Sequence, residues 1–337
     1  MTKENKKITP SESGKVALLL INTGTPAAPT EEAVSSYLVE FLSDRHIVDV
    51  PGFIWKPLLR GVIIPRRKAA SAKRYAAIWT KEGSPLLSIT KKTALGLQDF
   101  LGEDVAVFYA MNYGIPSIAK VLTEIKEIAL RKILLMPLYA QEARETRGAS
   151  RDAFISAYKK LALTTPFEEI PAWFENPLYI RALAESIKDA KIDLNATCLI
   201  ASFHGIPEET ASRYKKECER TVALLERELQ LEKGAILLTY QSKFGPGRWT
   251  EPATEAVLKT EASKGTASVA VLCPGFAADC LESLEEVAMK YRDTFLSLGG
   301  KTFTYIPALN ASKGALLLYK ELVSEALKKE EKAQEAS

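Results

Sequence analysis

Seven short, continuously apolar runs, each set off from the next by a longer amphipathic stretch, constrain this chain most. They are "KVALLLIN" (15–22), "VAVFYAM" (105–111), "KILLMPL" (132–138), "TCLIASF" (197–203), "AILLTY" (235–240), "VAVLC" (269–273) and "TFTYI" (302–306). Each is rich in Val, Ile, Leu or aromatic residues and too short for a free-standing helix, so each is expected to be a strand. Unbroken rather than alternating apolarity means that both faces of the sheet are covered, the mark of parallel strands under helices. From position 197 the strands start at 197, 235, 269 and 302, the spacing of βαβ units. A chain of 337 residues also exceeds one ordinary core. The expected fold class is therefore α/β, with two doubly wound, Rossmann-like parallel-sheet domains. Their boundary falls where "TTPFEEIPAWFENP" (164–177) interrupts the pattern, giving domains at 14–170 and 171–310. Residues 1–13 are expected to be a disordered N-terminal segment, and 311–337 an amphipathic C-terminal helix with "EEKAQEAS" as a frayed tail.

Composition narrows the class. Apolar content of 47% and charged content of 26% are those of a soluble globular protein, and a net charge of +3 is too small to indicate a nucleic-acid partner. Cys198, Cys218, Cys273 and Cys280 form no C-x-x-C pair and two lie in apolar runs, so reduced thiols of a cytosolic protein are expected. The opening "MTKENKKITPSES" has no apolar core, so no secretion signal is expected, and no stretch approaches 18 uncharged apolar residues.

The strand ends carry the chemistry. His204, one of only two histidines, directly follows the run 197–203. Open parallel sheets bind ligands beyond the carboxyl ends of their strands, so His204 should stand at the rim of a crevice. A structural histidine, hydrogen-bonded within a core, is the competing reading. Neither a G-x-x-x-x-G-K-[ST] phosphate loop nor a G-x-G-x-x-G after the first strand is present, which sets nucleotide binding aside. In "DCLESLEE", Asp279, Glu282 and Glu286 fall on one face of the helix expected there. Asp-x-x-Glu is equally the pattern of a helix capping box. A histidine and a carboxylate delivered by two strand ends can hold a divalent metal or move protons near neutral pH. Two histidines without a cluster argue against a closed zinc site.

"SFHGIP", "YQSKFGPGRWTEPAT" and "GFAADCLESLEEV", in that order, resemble the ferrochelatases. So do "LLLINTGTPAAPTEEAVSSYLVEFLSD", "KRYAAIWTKEGSPLL" and "YAMNYGIPSI", and the resemblance covers roughly residues 14–310. "EEAVSSYLVEFLSD" and "ADCLESLEE" look most like the Gram-negative bacterial branch. The resemblance implies a chelatase fold with a porphyrin cleft between the domains, and a lyase that inserts Fe²⁺ into protoporphyrin IX with release of two protons in haem synthesis. By position it makes His204 and Glu282 the catalytic pair and the residues that guide or ligate iron, with Glu286 extending the acidic face as a metal or proton path. The next residue on that face is Lys290, and Asp279 would hold the site's geometry. Thr23, Tyr75, Ser84, Tyr113, Gln141, Arg147 and Trp249 would line the porphyrin cleft, although a Trp in a generic fold defaults to the core. Thr23 stands where coproporphyrin-using relatives often have tyrosine, which favours protoporphyrin.

"YAQEARETRGAS" (139–150) departs from the family, with Glu142, Ala143, Glu145 and Arg147 where aromatic, small or hydroxyl residues are usual. Asn112 stands where arginine is usual. Arg144 or Arg147 is accordingly expected to pair with a propionate in place of Asn112, unless the stretch is a solvated, mixed-charge helix start. His46 matches no catalytic motif. The stretch 50–74 joins Phe53, Ile54, Trp55, Leu58, Leu59, Val62, Ile63 and Ile64 to Lys56, Arg60, Arg66, Arg67, Lys68, Lys73 and Arg74. Such a stretch suits peripheral contact with an anionic membrane, the alternative being a core helix followed by a solvated basic loop. The expected partners are porphyrin and ferrous iron, with no nucleic acid, no [2Fe-2S] cluster and no permanent cofactor. The expected state is a monomer or homodimer, cytoplasmic or peripheral on the inner membrane. The rival readings are a chelatase for coproporphyrin III or for another tetrapyrrole and metal, and a non-catalytic tetrapyrrole-binding relative.

Overall fold

Burial on both faces is what the apolar runs require, and the computed structural model supplies it: residues 16–22 of the first strand, Lys15–Thr25 (β1), are all buried. The described residues are 15–335 apart from 244 and 246, so the expected disordered segment 1–13 and the last two tail residues lie outside them. β2 (Val105–Gly114), β3 (Leu130–Pro137) and β4 (Phe167–Glu169) join β1 in a parallel sheet of order β2-β1-β3-β4. β5 (Cys198–His204), β6 (Ile236–Gln241), β7 (Ser268–Leu272) and β8 (Thr302–Ile306) form a second, of order β6-β5-β7-β8. The two halves share one topology without sharing sequence. All seven expected strands are present. β4 was not expected, because three residues reading Phe-Glu-Glu hold no apolar run and form a strand only by pairing with Ile133–Leu135.

The helices of the first half are α1 (Glu31–Ser43), α2 (Gly52–Leu58), α3 (Ile64–Ile78), α4 (Pro85–Leu101), α5 (Ile118–Lys126) and α6 (Ala149–Lys160). α7 (Pro177–Asp189), α8 (Ser212–Glu228), α9 (Thr254–Ser263), α10 (Arg292–Ser297) and α11 (Lys313–Glu335) follow. The largest apolar cluster takes Leu18 and Leu134 from the first sheet, Leu199 and Leu272 from the second, and Tyr319 from α11. The sheets thus share one core. α11 packs on both α4 and α7, and Leu316 fills the space beside Gly96 that any β-carbon would occupy. Six residues of the expected tail continue this helix, a correction to the frayed reading.

Residues 52–78 are one helical run, with a π turn at Leu59–Ile63 joining α2 to α3. Leu59 and Ile64 enter the core, and the Trp55 indole donates to the Leu42 carbonyl. Phe53, 81% exposed, faces outward with Ile54, Leu58 and Val62, so the apolar part is not a core helix and the basic part is not a loop.

Candidate active site

In a sheet of order β2-β1-β3-β4 the chain leaves β1 in one direction and enters β3 in the other, opening a crevice at their carboxyl ends. β5 and β7 hold the same places in the second sheet. The loops after these four strands line one cleft of about 610 Å³, joined by residues of α1, α3 and the helix that follows Leu281. Gly24 lets the first of them pass. It adopts φ +114°, and a β-carbon there would lie 1.8 Å from the Tyr113 carbonyl oxygen.

The cleft brings together His204, Glu282, Glu286, Thr23, Tyr75, Ser84, Gln141 and Trp249. His204 ends β5 opposite Gln241, and the Gly205 N–H donates to the Gln241 carbonyl at 2.7 Å. The His204 Nδ1 lies 2.7 Å from the Gly205 carbonyl oxygen. A carbonyl only accepts, so Nδ1 carries the hydrogen and Nε2 keeps its lone pair for a proton or a metal ion. Tyr214 donates to the His204 carbonyl at 3.0 Å, and the loop bearing Trp249 is paired antiparallel to Pro207 beside it. Trp249 therefore belongs to the cleft wall rather than to the core.

Glu282 opens a ten-residue π-helix, Glu282–Tyr291, where an α-helix was expected. Its i→i+5 bonding widens the turn, a rare geometry found mostly at functional sites. Side chains hold it from several directions. The Gln241 amide donates to the Glu282 carbonyl at 3.0 Å, and the Glu286 carboxylate accepts from Ser242 and, at 2.8 Å, from Tyr291. Arg74 donates to Glu285 at 2.6 Å from α3, across 211 positions of sequence. Burial opposes charge on Arg74, but Glu285, backed by Glu282 and Glu286, raises its pKa. Lys290 turns to Glu255, 3.4 Å away, ending the acidic face.

Asp279 does not share that face. It lies buried ahead of the helix, where its carboxylate accepts from Ser283, Tyr305, Asn310 and the Ala308 amide. Its own N–H is taken by Asn310, so no capping box closes between Asp279 and Glu282. Burial, and then the Glu282 charge, push up the Tyr37 hydroxyl and the Cys280 thiol. Burial, Tyr37 and Glu282 do the same to Tyr75. All three therefore remain neutral beside Glu282 at physiological pH. Thr23 shares a 2.7 Å hydrogen bond with Tyr139, and the Gln141 amide donates to Thr221 of α8 at 3.1 Å.

Two expected cleft residues are elsewhere. Tyr113 is buried beneath the cleft, donating to Asp44 at 2.8 Å and packed edge-on against Phe41. Arg147 is 1% exposed, and its guanidinium is engaged by Glu142, Glu169 and the carbonyls of Tyr139 and Ile170. Arg144 reaches outward to Asp49 and the Arg45 carbonyl. Neither arginine lines the cleft in the place of Asn112. Nor does His46, which bridges Asp44 and Asp152. Sequence reasoning missed Tyr37, Arg67, Arg74, Lys243 and Glu285, all of which line the cleft. The sign for Tyr37 was its place on the buried face of α1; the Arg74–Glu285 pair has no local sign.

The sequence model of the ferrochelatase family matches residues 15–327. The chain is 40% identical over 306 residues to the ferrochelatase of Actinobacillus pleuropneumoniae serotype 7, covering 89% of this chain and 95% of that one. It is 41% identical over 307 residues to the ferrochelatase of Mannheimia succiniciproducens, covering 89% and 94%. Both sources are Gram-negative. Among solved structures, SirB from Bacillus subtilis with Fe³⁺ superposes with a TM-score of 0.55 at 9% identity, over 92% of this chain and 95% of that one. That likeness is one of fold.

Proposed function

The chain belongs to the ferrochelatase family, and on that premise we propose that His204 and Glu282 carry out the metal insertion. The reaction is the family's: Fe²⁺ enters a porphyrin, the two pyrrole N–H protons leave, and haem is formed. Iron and porphyrin are both substrates.

The observation that carries the assignment is the His204 imidazole, held by Gly205 through Nδ1 so that the lone pair of the neutral ring lies at Nε2, in the same cleft as the carboxylate that opens the π-helix. Metallation needs bases for two weakly acidic protons and a ligand to receive the ion. The imidazole and the carboxylate supply both, and Glu286 continues the path away from the macrocycle. Tyr37, Tyr75 and Trp249 give the flat substrate an apolar wall, and Thr23 and Ser84 offer hydroxyls. Thr23, tied to Tyr139, presents only a small side chain, which supports protoporphyrin IX as the porphyrin. Every residue proposed for the reaction comes from one chain, and the proposed state is a monomer or homodimer.

The proposed site divides its work between the segments 14–170 and 171–310, the first supplying most of the cleft wall and the second both His204 and Glu282. The exposed Phe53, Ile54, Leu58 and Val62, ringed by Lys56, Arg60 and Arg66, support peripheral docking on an anionic inner-membrane surface from the cytoplasm, beside the cleft. No helix among the described residues is long and apolar enough to cross a membrane.

The test is an anaerobic panel of Fe²⁺, Co²⁺ and Ni²⁺ with protoporphyrin IX and coproporphyrin III, following loss of porphyrin fluorescence. Fe²⁺ with protoporphyrin IX should give the highest kcat/KM. Faster turnover of coproporphyrin III would overturn the substrate assignment, and binding without metallation by any ion would overturn the enzymatic one.

A further inference from the structure

We propose that Glu145 is a specificity residue, a carboxylate in the cleft wall that excludes porphyrins bearing carboxylates around their whole rim. The inference rests on the porphyrin-cleft reading above and deepens it. Glu145 lies in the π turn Arg144–Gly148 and lines the cleft with Ala143 and Thr146. Its Oε1 accepts from the Thr210 hydroxyl at 3.1 Å, which fixes the side chain from the other half of the molecule. Its Oε2 is buried and takes no hydrogen bond among the described residues. After burial and nearer neighbours, the Glu145 charge adds to the upward shift of the Tyr214 hydroxyl, the group bonded to the His204 carbonyl. Held by Thr210, which follows the loop that begins at His204, the acid stands in the cleft wall on the His204 side.

The cleft's cations gather elsewhere. Arg67 and Arg74 come from α3, Lys290 from the π-helix, and Lys243 follows Ser242, which is bonded to Glu286. Arg144, on the same turn as Glu145, points out to Asp49. A substrate carboxylate at that wall would thus meet a like charge that has no ion-pair partner among the described residues, which is costly at short range. Protoporphyrin IX carries its two propionates on adjacent rings and its vinyl and methyl groups on the opposite edge. It can place the carboxylates at the α3 edge and the apolar edge at Glu145. Coproporphyrin III has a propionate on every ring and cannot avoid the contact.

The experiment compares kcat/KM for protoporphyrin IX and coproporphyrin III in the wild type, Glu145→Gln, Glu145→Asp and Thr210→Val. Glu145→Gln should raise the coproporphyrin-to-protoporphyrin ratio at least tenfold. Glu145→Asp should keep the wild-type ratio, and Thr210→Val, which frees the carboxylate to swing away, should raise it partway. A ratio within twofold of wild type in both Glu145→Gln and Thr210→Val would overturn the proposal, and Thr210→Val carries the test if Glu145→Gln does not fold. The wild-type ratio alone tests the protoporphyrin reading, so each can fail without the other.

Discussion

Replacing Arg147 by Ala should cost stability and leave porphyrin recognition untouched. The guanidinium is 1% exposed and donates to the Glu142 and Glu169 carboxylates, at 3.0 and 2.6 Å, and to the carbonyls of Tyr139 and Ile170. Removing one partner of a buried pair typically costs ~3–5 kcal/mol, because the charges left behind are uncompensated. Here Arg151 also reaches both carboxylates, so the lower end, ~3 kcal/mol, applies. At about 2.1 cal/mol/K of unfolding entropy per residue, a chain of this size should lose ~4 °C of Tm. Urea unfolding and calorimetry measure the loss, and steady-state metallation measures KM. A variant with wild-type Tm and a raised porphyrin KM would refute the reasoning and return Arg147 to the propionate.

Asp44 gives a pH prediction: burial opposes its ionisation, but the His46 amide and imidazole and the Tyr113 hydroxyl hold its carboxyl below the usual range. A depressed folded pKa stabilises above the unfolded value, about 3.9, and the contribution is lost as pH falls through the folded one. Asp44→Asn should therefore lower Tm at pH 7 and converge on wild type in acid; a Tm gap that persists through acid unfolding would count against it. Gly24→Ala should cost ~3 kcal/mol or more, since its β-carbon would sit on the Tyr113 carbonyl at a left-handed φ, and a wild-type Tm would contradict the backbone geometry. The double variant Phe53→Ser, Ile54→Ser should lose sedimentation with anionic vesicles while keeping activity on detergent-solubilised porphyrin; unchanged sedimentation would remove the docking surface.

The strands were legible because continuous apolarity survives only where both faces are buried, as in β1 and β5. β4 was not, because its pairing with β3 lies outside its own three residues. His204 was legible from its place at a strand end, and Glu282 from its motif. The role of Asp279 in holding the helix was anticipated, but not its direction, since Tyr305 and Asn310 come from a distant segment. The stretch 139–150 misled most. Alternating charges resemble a solvated surface, whereas Glu169 and Ile170, some twenty residues on, close over Arg147 and bury it. Local sequence cannot show such a closure, nor the meeting of Arg74 with Glu285.

The most direct measurement is a single anaerobic turnover: protoporphyrin IX is bound first, confirmed by its fluorescence, and then mixed with excess Fe²⁺. His204→Ala and Glu282→Gln should bind the porphyrin as the wild type does and metallate it at least ~100-fold more slowly, the usual scale of a lost acid–base group. Metallation at the wild-type rate in both variants would contradict the assignment of the chemistry to this pair.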